Sequence, residues 1–90
     1  MKFFVADDEK FALDRMVREL KTASPESEVF AFSNPHDLLD FAKGNHCDVA
    51  FLDVRMGSMT GVELAKKLRE LFPKLNVIFV TGYDEYANEA

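Results

Sequence analysis

Apolar positions along the ninety-residue chain fall into two alternating rhythms. Lys2–Ala6 (KFFVA), Glu28–Phe32 (EVFAF), Cys47–Asp53 and Asn76–Thr81 (NVIFVT) are short apolar runs that end at polar or turn-forming residues. Such runs predict strands. Between them the spacing turns helical. Phe11, Leu13, Met16, Val17 and Leu20, with charges interleaved, predict an amphipathic helix over roughly residues 9–22, followed by a turn at Ser24-Pro25-Glu26-Ser27. Ser33-Asn34-Pro35 is a helix-start signal with Pro at or near the first helical position, and Gly44 is a stop signal. Thr60 with Glu63 three residues later forms a capping box. Val62, Leu64, Ala65, Leu68 and Leu71 then supply an apolar helical face that Pro73 closes. Asp84 is a candidate cap for the start of one more helix.

The order is therefore βαβαβαβ plus a helix start. Strands separated by helices pair in parallel, because each connection crosses over the sheet. The first, third and fourth strands lack regular polar alternation, which predicts helices on both faces. The fold class is α/β with an open parallel sheet, in a single domain over residues 1–90. A domain this small buries only about 60–65% of the surface that its unfolded chain exposes.

Composition narrows the function classes. Nearly half of the residues are hydrophobic, 48%, and nine are Phe, which excludes a disordered chain. A net charge of −5 with no Lys/Arg cluster argues against nucleic-acid contact by this chain. The single cysteine, Cys47, reads as a small buried hydrophobe at a strand start and fits a reducing cytosol. Asp7 interrupts the N-terminal apolar run before a signal-peptide core forms, and no run approaches the ~20 residues of a membrane helix. The chain reads as soluble and cytoplasmic.

Candidate chemistry gathers at strand ends. In an open parallel sheet, ligands bind outside the carboxyl ends of the strands. Those ends carry Asp7 and Asp8 on the first strand, Asp53 on the third and Thr81 on the fourth. If the first and third strands are neighbours, three carboxylates share one rim and raise one another's pKa. A hard divalent cation relieves that repulsion, and Mg²⁺ takes oxygen ligands. A carboxylate beside it can attack phosphorus. Taken one at a time these residues have plainer readings. Asp8 can cap the first helix, Asp53 can terminate a strand, and Thr60 is a helix cap. His36 and His46 read as solvated, and Met16 and the phenylalanines as core.

Taken together, FVADDE, FLDVRM followed after four intervening residues by Gly61, and VIFVTGYDEYA resemble the receiver domain of a two-component response regulator. TGYDEYANEA is most similar to receivers with a LytTR-type DNA-binding output domain. The resemblance implies a flavodoxin-like sheet of order 2-1-3-4, with the fifth strand and last helix of the family absent from these ninety residues. It implies a phosphoacceptor, not an enzyme, that takes a phosphoryl group from a histidine kinase or phosphotransfer protein onto Asp53 with Mg²⁺. Asp8 would bind the metal directly, Asp7 mainly through water, and Arg55 through its backbone carbonyl. Thr81 would hydrogen-bond the phosphoryl group, and Gly82 would leave that site open. Two positions depart from the family. Gly57 stands where Pro is usual, which predicts a looser loop, and no residue takes the role of the Lys on the fifth strand. Labelling of this chain alone is therefore expected to be poor. A bare edge on the fourth strand predicts self-association, as a homodimer or larger.

Other readings fit less well. A haloacid-dehalogenase-type phosphohydrolase needs a second Asp two residues after the nucleophile, where this chain has Arg55. Two carboxylates after the first strand would repel a flavin phosphate, and no G-x-G-x-x-G follows a strand. A receiver-like interaction module without productive phosphorylation is the alternative in another class.

Overall fold

The computed structural model describes residues 1–80 of the chain. They form β1 (Lys2–Ala6), α1 (Lys10–Ala23), β2 (Glu28–Phe32), α2 (Pro35–Ala42), β3 (Val49–Asp53), α3 (Gly61–Leu71) and β4 (Asn76–Val80). All strand pairs are parallel and the sheet order is β2-β1-β3-β4. Alternate residues of β1 feed two cores. Phe4 and Ala6 join Leu38, Ala42, Ala50, Leu52, Leu64 and Leu68 beneath α2 and α3, whereas Val5 packs with Leu13 and Met16 of α1. The sheet is thus the middle of three layers, as its apolar strands require. Phe4 anchors the larger core, its ring centroid 5.5 Å from that of Phe41 and 6.0 Å from that of Phe30.

Helix ends follow local chemistry. Asn34 caps α2 by accepting from the His36 N–H at 2.8 Å, with Pro35 opening the helix. Thr60 Oγ1 caps α3 by accepting from the Glu63 N–H at 3.1 Å, and its hydroxyl donates to Glu63 Oε1 at 3.2 Å. Gly44 does not stop α2 in the left-handed manner, because no described glycine has positive φ. The last turn instead tightens through Lys43 N–H to the Asp40 carbonyl and Gly44 N–H to the Phe41 carbonyl, both 3.3 Å.

Three expectations about packing are corrected. Phe11 is 85% exposed, since it lies two residues from Leu13 and so falls off the stripe of Leu13, Met16, Val17 and Leu20. Val62 and Leu71 are exposed as well, the buried face of α3 being Gly61, Leu64, Ala65 and Leu68, with Phe72 packing where Leu71 was expected. On β4, Ile78 and Phe79 are 47% and 44% exposed, because this strand has a neighbour, β3, on one side only among the described residues. The third strand also starts later than its apolar run. The Asp48 side chain, not a backbone carbonyl, takes the Lys2 N–H at 2.7 Å, so regular pairing begins at Val49. Cys47 is buried just before it, as expected, and burial pushes its thiol up to about 11. The last helix expected from Asp84 lies outside the described residues.

Candidate functional site

Sheet register brings the acidic residues together. Ala6 of β1 pairs with Leu52 of β3, so the next residues in each chain direction, Asp7 and Asp53, emerge side by side at the carboxyl rim. Asp8 follows at the start of the loop to α1. One carboxylate oxygen from each of Asp7, Asp8 and Asp53 lies within 4.8 Å of the other two. The neighbour relation assumed between the first and third strands is the one observed.

Each carboxylate is held by backbone donors. Asp7 is 5% exposed, and its Oδ1 accepts from the Glu9 N–H at 2.9 Å. Asp8 Oδ2 accepts from the Gly57 N–H at 2.9 Å, which ties the loop after β1 to the loop after β3. Asp8 therefore does not cap α1; the N-cap is Glu9, with no side-chain cap bond. Asp53 Oδ1 faces the Arg55 N–H at 3.4 Å, a long contact from the same loop. Arg55 is exposed, and its backbone belongs to the loop that lines the acidic cluster.

The electrostatics follow from this crowding. Burial, opposed by the Glu9 N–H and reinforced by the charges of Asp53, Asp8 and Glu9, pushes the Asp7 carboxyl up to about 6. Burial also raises the Asp53 carboxyl, with Asp8 adding to the rise and the Arg55 N–H opposing it. Three hard oxygen donors that pay mutual repulsion when ionised, with backbone N–H groups fixing two of them, match what Mg²⁺ requires. Soft or nitrogen donors are absent from this cluster.

The loop leaving Asp53 returns through a close approach. Gly61 N–H donates to the Val54 carbonyl at 2.9 Å, and a Cβ on Gly61 would stand 2.9 Å from the carbonyl carbon of Asp53. The contact that demands glycine at position 61 is backbone against backbone, at negative φ. The Gly57 donation to Asp8 was missed, because a glycine in a loop carries no sign of which carboxylate its N–H will meet. Thr81 and Gly82 lie outside the described residues. His36 and His46 are exposed, and His46 pairs with Asp48 at 2.9 Å at the opposite end of the sheet.

A doubly covered parallel sheet of order 2-1-3-4 with acidic residues at the ends of its two central strands defines a class of α/β signalling domain. The family model for the response regulator receiver domain matches residues 3–90, and the chain belongs to that family. It is 30% identical over all 90 residues to sensory transduction protein LytT of Bacillus subtilis, covering 37% of that protein. It is 38% identical over 88 residues to an uncharacterized response regulatory protein of Vibrio cholerae, covering 96% of this chain and 33% of the other. The chain thus spans about a third of the length of these curated relatives. Among solved structures, the response regulator TrrA of Thermotoga maritima, crystallised with Mg²⁺ and BeF, superposes with a TM-score of 0.82 at 24% identity, covering 98% of this chain and 75% of that one. A CheY-like receiver domain from Methanospirillum hungatei gives 0.81 at 26% identity, with 98% and 69% covered. No helix among the described residues is long and apolar enough to cross a membrane.

Proposed function

We propose that this receiver domain, residues 1–90, is the phosphoacceptor of a two-component response regulator, and that Asp53 takes the phosphoryl group from a histidine kinase or phosphotransfer protein. The observation that carries this reading is the meeting of Asp7, Asp8 and Asp53 at one sheet rim. Asp7, Asp8, Asp53 and the backbone carbonyl of Arg55 would hold Mg²⁺. When bound, Mg²⁺ neutralises the charge of the carboxylates and of the incoming phosphoryl oxygens.

The chain's own part is positional. The Asp53 carboxylate, at the end of β3, presents an oxygen that attacks phosphorus. The new bond is an acyl phosphate, and the phosphorus–nitrogen bond to the donor histidine breaks, its electron pair leaving on the imidazole, which takes up a proton. Asp7 and Asp8 would keep the metal at the rim, and Thr81, which lies outside the described residues, would contact the phosphoryl oxygen. The domain acts in the cytoplasm, in a protein that regulates transcription and resembles the LytTR-output group, and makes no nucleic-acid contact of its own. It self-associates through the exposed edge of β4.

Calorimetric titration tests the metal reading. Mg²⁺ or Mn²⁺ is expected to bind at roughly millimolar affinity, in keeping with an open, water-retaining site. Asp8→Asn is expected to weaken it. Equal binding by wild type and Asp8→Asn, or no binding by either, would favour an interaction module without phosphorylation.

A further inference from the structure

Two methionines pin the loop that leaves Asp53. Residues 54–60 form neither helix nor strand, and Met56 and Met59 are the only two of them that are buried, each 7% exposed. Both side chains belong to the larger core with Leu52, Leu64 and Leu68, while Arg55, Gly57, Ser58 and Thr60 are exposed. A thioether in such a place packs like leucine but has a chemistry that leucine lacks. We propose that Met56 and Met59 are an oxidation site, at which a hydroperoxide converts the thioethers to sulfoxides and releases the loop from the core.

The step is an oxygen transfer. A sulfur lone pair attacks one oxygen of the peroxide, the S–O bond forms and the O–O bond breaks. The departing hydroxide takes the proton of the transferred oxygen and leaves as water. Sulfur is oxidised by two electrons and the peroxide is reduced by two, and the sulfoxide is reversible by reductases. Its polar oxygen is costly to return to an apolar cluster, so the loop stays out in water. Met16 is the natural comparison. It is equally buried, at 8%, but it sits within the fourteen-residue α1, whose backbone ladder must open to expose it. The loop has no such ladder, so its methionines react first. Met1, 70% exposed, reacts without effect on the loop. Arg55 immediately precedes Met56, so its carbonyl leaves the rim with the loop, and in this one consequence the inference rests on the Mg²⁺ reading above.

The test is limited oxidation of the ninety-residue chain by hydrogen peroxide, with peptide mapping by mass, urea denaturation and a Mg²⁺ titration. Met56 and Met59 are each expected to gain one oxygen after Met1 and well before Met16. The oxidised chain should have a lower urea midpoint and bind Mg²⁺ about tenfold more weakly, the scale seen when a ligand loses its support. Treatment with the two methionine sulfoxide reductases, one per epimer, should restore both. Met56→Leu with Met59→Leu, a volume-conserving pair, should keep its midpoint and affinity through the same peroxide treatment. Oxidation of Met16 as early as Met56 and Met59 overturns the proposal, as does an oxidised chain whose midpoint is unchanged. If untreated wild type binds no Mg²⁺, the metal reading fails, and the mapping and the midpoint still decide the proposal. If the double variant fails to fold, the order of oxidation and the reductase rescue in wild type decide it.

Discussion

Gly61 packs its α-carbon against the backbone carbonyl of Asp53, so closely that a Cβ there would overlap the carbonyl oxygen and stand 3.1 Å from the Val54 Cα. The start of α3 is thereby pressed onto the end of β3, and the backbone of Asp53 is fixed by contact. Neither neighbour is the flexible end of a side chain, so neither can yield cheaply. Gly61→Ala is expected to destabilise the fold by about 1–3 kcal/mol, as forced overpacking does. It should also weaken metal binding by displacing Asp53. Urea denaturation with a parallel Mg²⁺ titration checks both, and an unchanged midpoint would contradict the contact.

Asp7 predicts a pH dependence of definite sign. Its carboxyl is raised to about 6 in the fold, above the ~3.9 of an unfolded chain. The folded state therefore binds more protons between those values. The stability that the neutral Asp7 contributes is complete below about pH 4 and is lost as pH rises through about 6. In the absence of metal, the thermal midpoint of wild type should fall from pH 5 to pH 7 relative to that of Asp7→Asn. Mg²⁺ affinity should rise over the same interval, because binding requires the ionised carboxylate. Parallel melting curves for the two proteins would contradict the assignment.

The aromatic core beneath α2 predicts a sharp cost. Phe4 is fully buried and its ring meets those of Phe30, Phe32 and Phe41. Phe4→Ala should cost about 3–5 kcal/mol, which in a domain of this size approaches the whole stability. Phe11→Ala, at an exposed position, should lie within about 0.5 kcal/mol of wild type. Denaturant midpoints separate the two, and similar losses would mean that Phe11 is covered in solution.

Much of this architecture was legible in the hydrophobic pattern because each strand is a short apolar run and two of the three helices carry a side-chain cap. Asn34 before Pro35, and Thr60 three residues ahead of Glu63, set helix starts to the residue. What the pattern could not show was which apolar side chains face out. Val62 is hydrophobic and stands beside Gly61 and three residues before Ala65, yet it is 45% exposed, and only the helix's rotation against the sheet decides that. The acidic cluster was legible as residue types at equivalent strand ends. Its donors were not, since the backbone N–H groups of Glu9, Arg55 and Gly57 have no signature in side-chain chemistry.

The edge of β4 leads to an assembly prediction. Among the described residues β4 has no neighbour on its outer side, so its backbone N–H and C=O groups there, with Ile78 and Phe79 exposed, offer a template on which a second copy can pair. Symmetric pairing of two such strands is antiparallel and closes as a dimer. Light scattering over a hundredfold concentration range should show mass rising toward twice the monomer, and Ile78→Lys should suppress the rise. A constant monomer mass would contradict self-association.

Mass spectrometry of the chain after incubation with acetyl phosphate bears on the phosphoacceptor itself. With Mg²⁺ present, a fraction of the chain should gain one phosphoryl group, and peptide mapping should place it on Asp53. Asp53→Asn, whose amide cannot form the acyl phosphate, and wild type without Mg²⁺ should gain none. The fraction matters less than the position and the metal dependence. Labelling that persists in Asp53→Asn or without Mg²⁺, or no labelling at any metal concentration, would contradict the assignment of Asp53 as the nucleophile of a metal-dependent site.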